Sequence, residues 1–161
     1  MKTSKLIPIY LVMLVLLIGV FLASPGASTN TLTAEVPLIE PKPLDLDNPD
    51  TVKVHVKLAD ASGKTIVDQI NASTVLLEGS LTPDNTYMSK LSEFIAEFDG
   101  GSVRDLIWTK ISHLGITAPK PWVPVKIPLT ITGQLKNEYG GTAWAGTGDA
   151  KVFIPENPPP P

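Results

Sequence analysis

From Thr51 to Ala59 the chain reads TVKVHVKLA, a run that alternates apolar and polar residues without a fault. Val52, Val54, Val56 and Leu58 fall on one side, and Lys53, His55 and Lys57 on the other. Successive side chains of an extended strand point to opposite faces, so the run specifies a strand with one face in a core and one in water. STVLLEGSL, with Val75, Leu77 and Leu81 on one side, and FIAEF, with Phe94, Ala96 and Phe98 together, extend the same logic. Then the period changes. In DGGSVRDLIWTKISHLG the residues Val103, Leu106, Ile107, Ile111 and Leu114 recur at helical spacing. Ser102 is the expected N-cap, with Asp105 three residues on, and Gly115 the expected exit from a helix of about three turns.

The closing stretch, Leu129 to Ile154, is glycine-rich: LTITGQLKNEYGGTAWAGTGDAKVFI. A phosphate-binding loop needs G-x-x-x-x-G-K-[ST] between a strand and a helix. Gly141 and Gly146 have the glycine spacing, but Thr147 and Gly148 stand where lysine and a hydroxyl are required. A hairpin fits better. Leu129, Ile131 and Leu135 alternate with Thr130, Thr132 and Gln134. Trp144, Ala150, Val152 and Ile154 share one face. KNEYGGT between them is hairpin-loop chemistry, with Asn137, Gly140 and Gly141 suited to positive φ. Gly146 and Gly148 inside the second run point to a bulge or a close approach of another backbone.

The rest of the chain is organised around these elements. Leu6 to Ala23 is 18 residues without a charge, preceded by Lys2 and Lys5 and followed by the small residues SPGAS. That is the layout of a secretory signal. It is short for a membrane span, which needs about 20 apolar residues. Residues 1–28 therefore read as a cleaved signal or a retained hydrophobic helix. In either case the lysines keep the start in the cytoplasm and the remainder is extracytoplasmic. Residues 29–50 hold Pro37, Pro41, Pro43 and Pro49 and read as a proline-rich stalk, with room for a short edge strand over Thr31 to Val36. APKPWVPVKIP reads as an extended connector, 51–155 as the domain, and 156–161 as a polyproline tail. Removing Lys2 and Lys5 leaves 11 basic against 16 acidic groups, a formal net of −5 in place of −3. An acidic exterior domain is a poor partner for nucleic acid or anionic lipid. The chain has no cysteine, which excludes disulfides, thiolate metal sites and thiol nucleophiles, so the domain must rely on its core.

INASTVLLEG, FIAEFDGGSVRDLI and the closing hairpin together resemble an Ig-like β-sandwich module of exported bacterial and archaeal surface proteins. The likeness spans about Thr51 to Ile154, with Glu138 and Tyr139 inserted in the hairpin loop and the proline connector added. It implies a mainly β, antiparallel Ig-like sandwich with one short helix. It also implies an accessory or display role, with a surface protein or polysaccharide as partner, and it brings no catalytic residue or cofactor.

Candidate sites follow from residue chemistry. His55 lies on the wet face of a strand and His113 in the last helical turn, with no third ligand in view for a metal. DLDNPD, Asp45 to Asp50, departs from a calcium loop, since Pro49 takes a ligand position and Asp50 the turn glycine. Glu93, Glu97 and Asp99 are the residues for paired-carboxylate chemistry, but Glu97 alternates outward and Asp99 falls at a strand–helix turn. No serine has a G-x-S-x-G context. Asn71 opens Asn-Ala-Ser, a glycosylation acceptor pattern. Trp122, in the proline connector, and Trp108, at the margin of the helical stripe, are candidates to stack on a sugar or anchor a partner. The sequence thus predicts a non-catalytic extracytoplasmic module for display, adhesion or assembly. The alternative is a carbohydrate-binding accessory domain with an aromatic platform.

Overall fold

A computed structural model describes residues 31–47, 49–116 and 123–154. The run Leu6–Ala23, Trp122 and the tail 156–161 lie outside them. Among the described residues no helix is long and apolar enough to cross a membrane.

Alternation decides most of the elements. They run β1 (Leu32–Thr33), β2 (Glu35–Glu40), β3 (Leu44–Asp45), β4 (Val52–Lys57), β5 (Ile70–Leu77), β6 (Asn85–Met88), β7 (Phe94–Phe98), α1 (Gly100–Leu114), β8 (Val125–Leu135) and β9 (Ala143–Phe153). Two sheets form a β-sandwich. One is ordered β1-β9-β8-β5, with β3 also on β9; the other is β2-β4-β7-β6. Pairing is antiparallel except where β1 and β3 run parallel to β9. Val52, Val54 and Val56 face inward with Phe94, Ala96 and Phe98, and meet Leu77, Ile127, Leu129, Ile131, Trp144 and Val152 of the other sheet in one core. Burying each large apolar side chain contributes about 1.5–3 kcal/mol. β6 had no sequence signal of its own.

The segment 29–50, expected as a stalk, supplies β1, β2 and β3, and Ala34, Ile39, Leu44 and Leu46 are buried in the core. Its prolines avoid the ladder rather than forbid it. Pro37 sits where β2 gains one residue over β4, between Glu35↔Lys57 and Leu38↔His55, which is a bulge on an edge strand. Pro41 and Pro43, both after cis peptide bonds, lie in the connection between β2 and β3.

β8 likewise begins at Val125, four residues before the expected start, and contains Pro128. Thr130, two residues on, turns its N–H toward the β5 side, where the Glu78 carboxylate accepts it. Pro128 points the same way, beyond the last β5–β8 pair at Leu77↔Ile131, so its missing N–H breaks no strand pairing.

The helix is capped by Asp99, not by Ser102. Asp99 Oδ2 accepts the Ser102 N–H at 2.8 Å and the Ser102 hydroxyl at 2.9 Å. Gly100 is buried in the first turn, where a Cβ would run into the Asp50 carbonyl. Val103, Ile107 and Ile111 are buried, whereas Leu114 is exposed, because Gly115 at φ 60° ends the helix there. The expected β8–β9 hairpin forms, in a register that runs from Gln134↔Ala143 through Gly133↔Trp144 to Val125↔Val152 with no bulge. Gly146 and Gly148 mark a close approach. A Cβ on Gly146 would stand 2.6 Å from the Ala34 carbonyl oxygen, and one on Gly148 would strike Val36.

Candidate functional site

The densest polar constellation lies on the outer face of the β2-β4-β7-β6 sheet. Alternation puts Lys53, His55 and Lys57 of β4 on that face. The antiparallel register sets Lys53 and His55 opposite Glu97 and Ile95 of β7, and Glu93 immediately precedes that strand, within reach of Lys57. Lys53 Nζ lies 3.1 Å from Glu97 Oε1, and Lys57 Nζ 3.4 Å from Glu93 Oε1. Glu97 also accepts the Asn85 amide at 3.0 Å and the Tyr87 hydroxyl at 3.1 Å, both from β6. The Asn85 hydrogen bond, followed by that of Lys53, holds the Glu97 carboxyl below the ordinary range, and the bond to Glu97 raises the Lys53 ammonium.

His55 stands between two carboxylates. Its Nδ1 is 2.9 Å from Glu93 Oε2, and its Nε2 is 3.5 Å from Glu40 Oε2 of β2. A carboxylate only accepts, so Nδ1 carries the proton and donates to Glu93. The Glu40 contact is too long for a hydrogen bond, and the buried Nε2 has no such partner among the described residues. Glu93, the one buried charged side chain among the described residues, is held below the usual carboxylate range chiefly by the His55 hydrogen bond, against the opposing effect of burial. The outcome is a face of alternating sign whose charges mostly satisfy one another across strands.

Sequence reasoning weighed Glu93, Glu97 and Asp99 together, and the strands separate them. Glu93 serves His55, Glu97 serves Lys53, and Asp99 caps the helix. The pairing of Glu93 with His55 depends on β4 and β7 being neighbours, which no local pattern announces. Glu78 was also not singled out. It sits at φ 51° in the turn after β5 and accepts the Lys110 ammonium at 2.8 Å and the Thr130 N–H at 2.5 Å, tying α1 to β8.

The other candidates disperse. His113 is exposed in the last turn of α1. Asp45 Oδ1 accepts the Asp47 N–H at 2.9 Å in a local turn, and no group of three His, Asp or Glu side chains fit for a metal occurs among the described residues. Asn71 is half-buried on β5, and its Oδ1 accepts the Ser73 hydroxyl at 2.8 Å, so the Asn-Ala-Ser triplet closes on itself. Trp108 is half-buried against the core. Comparison with protein-family models, curated proteins and solved structures finds no match for the chain.

Proposed function

We propose that this chain is a non-catalytic, extracytoplasmic Ig-like module for display, adhesion or assembly. One observation carries the reading: a charge-free run of 18 residues behind two lysines precedes a cysteine-free sandwich whose outer sheet face is a paired, alternating charge array. The run supplies export, and the array supplies a surface for recognition. The sugar-binding alternative rests on Trp108 and Trp122 as a shared platform. The packing of Trp108 against the core weighs against it.

A reporter fused after Pro161 tests the reading. It is expected to be active only outside the cytoplasm, and activity inside would overturn the topology. The mass of the mature chain separates a cleaved signal from an anchor.

A further inference from the structure

The outer strands of the two sheets are not alike. β2 is broken by the bulge at Pro37. β5 departs from regular pairing between Asn71 and Leu76. The outer side of β9 meets β1 near one end and β3 near the other. Such devices blunt sheet edges, whose unpaired N–H and C=O groups otherwise template another strand. β6 is irregular only at its start, where Asp84 donates its N–H to the Glu97 carbonyl, so that Asp84 and Asn85 both face Glu97. It contains no proline, and its register with β7 is regular from Asn85↔Glu97 to Met88↔Phe94. It ends its sheet among the described residues. Ser89 donates its N–H to the Glu93 carbonyl. Residues of an antiparallel ladder alternate in direction, so Tyr87 turns its backbone groups to β7 while Thr86 and Met88 turn theirs outward.

The side chains around this edge are self-complementary. Tyr87 is 37 % and Met88 44 % exposed. Asp84, three residues before Tyr87, and Lys90, three after it, are both exposed, and neither is in an ion pair among the described residues.

We propose that β6 pairs antiparallel with β6 of a second copy of this chain, about a two-fold axis through Tyr87. In that register Thr86 of each copy exchanges backbone hydrogen bonds with Met88 of the other. The two Tyr87 side chains meet on the outer face, and Asp84, just before each β6, lies at the end of the shared ladder nearest the turn that carries Lys90 of the other copy. The contact is isologous and closes at two copies. The inference names a partner for the assembly reading and rests on the chain being a binding module. The reporter fusion tests that reading separately, so a failed contact with correct topology removes only the second copy.

The absence of native cysteine makes a single introduced thiol informative. Tyr87→Cys sets two cysteines opposite each other at a non-hydrogen-bonded position, where Cα atoms are about 4.5 Å apart, within disulfide reach. The full chain, purified in detergent and treated with oxidised glutathione, is expected to cross-link at least about tenfold faster through Tyr87→Cys than through Asn85→Cys or Leu91→Cys, because only the axial pair has disulfide geometry. This holds although Leu91 is 79 % exposed. In the Tyr87→Cys chain, Asp84→Lys or Lys90→Asp alone slows the reaction, and the two together restore it. Denaturant melts matching the parent show that each variant is folded. Equal rates at the three cysteine positions, or no recovery in the charge swap, would overturn the proposal.

Discussion

Trp144 concentrates much of what the hairpin does. It is 1 % exposed, lies over Gly133, and presents an indole Nε1 with no hydrogen-bond partner among the described residues. A glycine opposite a tryptophan is a shape match, since a Cβ on Gly133 would stand 2.6 Å from the ring. Trp144→Ala is expected to cost about 3–5 kcal/mol, the usual loss for a buried large aromatic. Asp149 shares the strand but faces water and pairs with Lys126 at 3.1 Å. Asp149→Ala is expected to change stability by less than about 0.5 kcal/mol, as exposed pairs contribute little. Denaturant melts of the two variants check both values, and a multi-kcal loss at Asp149 would assign the hairpin a binding role. The inward direction of Trp144 was legible, because alternation is a local signal. The role of Gly133 was not, because it depends on which residue lies across the strand pair.

Among the elements, α1 depends most visibly on one titrating group. The Ser102 backbone and hydroxyl hydrogen bonds hold the Asp99 carboxyl below its ordinary range. A carboxyl with a depressed folded pKa contributes stability that is present above its unfolded value, about 3.9, and is lost as pH falls through the lower folded value. The denaturation midpoint is therefore expected to fall as pH drops below about 4, with a smaller slope in Asp99→Asn, which keeps the cap oxygen without the charge. Equal slopes in the two proteins would remove Asp99 as a source of acid sensitivity. The strands β4, β7, β8 and β9 and the helix were legible because their periods are long enough to count. β6 was not, since Asn-Thr-Tyr-Met offers only four residues and its inward Met88 lies at the rim. The edge strand expected over Thr31 to Val36 covers β1 and the start of β2, whereas the rest of β2 and β3 were hidden by proline, which argues against central strands and leaves edge and bulge positions open. The charged face was legible as outward lysines and glutamates. Its pairings came only with the strand order.

Across the whole molecule, the first described segment binds the two layers together. It pairs with β9 as β1, crosses to β4 as β2, and returns to β9 as β3. Leu44→Ala is consequently expected to cost about 2–5 kcal/mol, as in any close-packed core, and a denaturant melt reads this directly. A stalk residue would show no loss. The same lacing sets how the sandwich carries mechanical load. β1 and β3 run parallel to β9, so pulling the chain ends apart drags these strands lengthwise past one another. The hydrogen bonds between them, such as Ala34 N–H to the Ala145 carbonyl at 2.7 Å, are then strained together in shear instead of opening one after another. Single-molecule extension is expected to give a rupture force that drops when Ala34→Pro removes that donor. The Pro-rich stretch that looked like a tether would then be the clasp that resists the tether's pull.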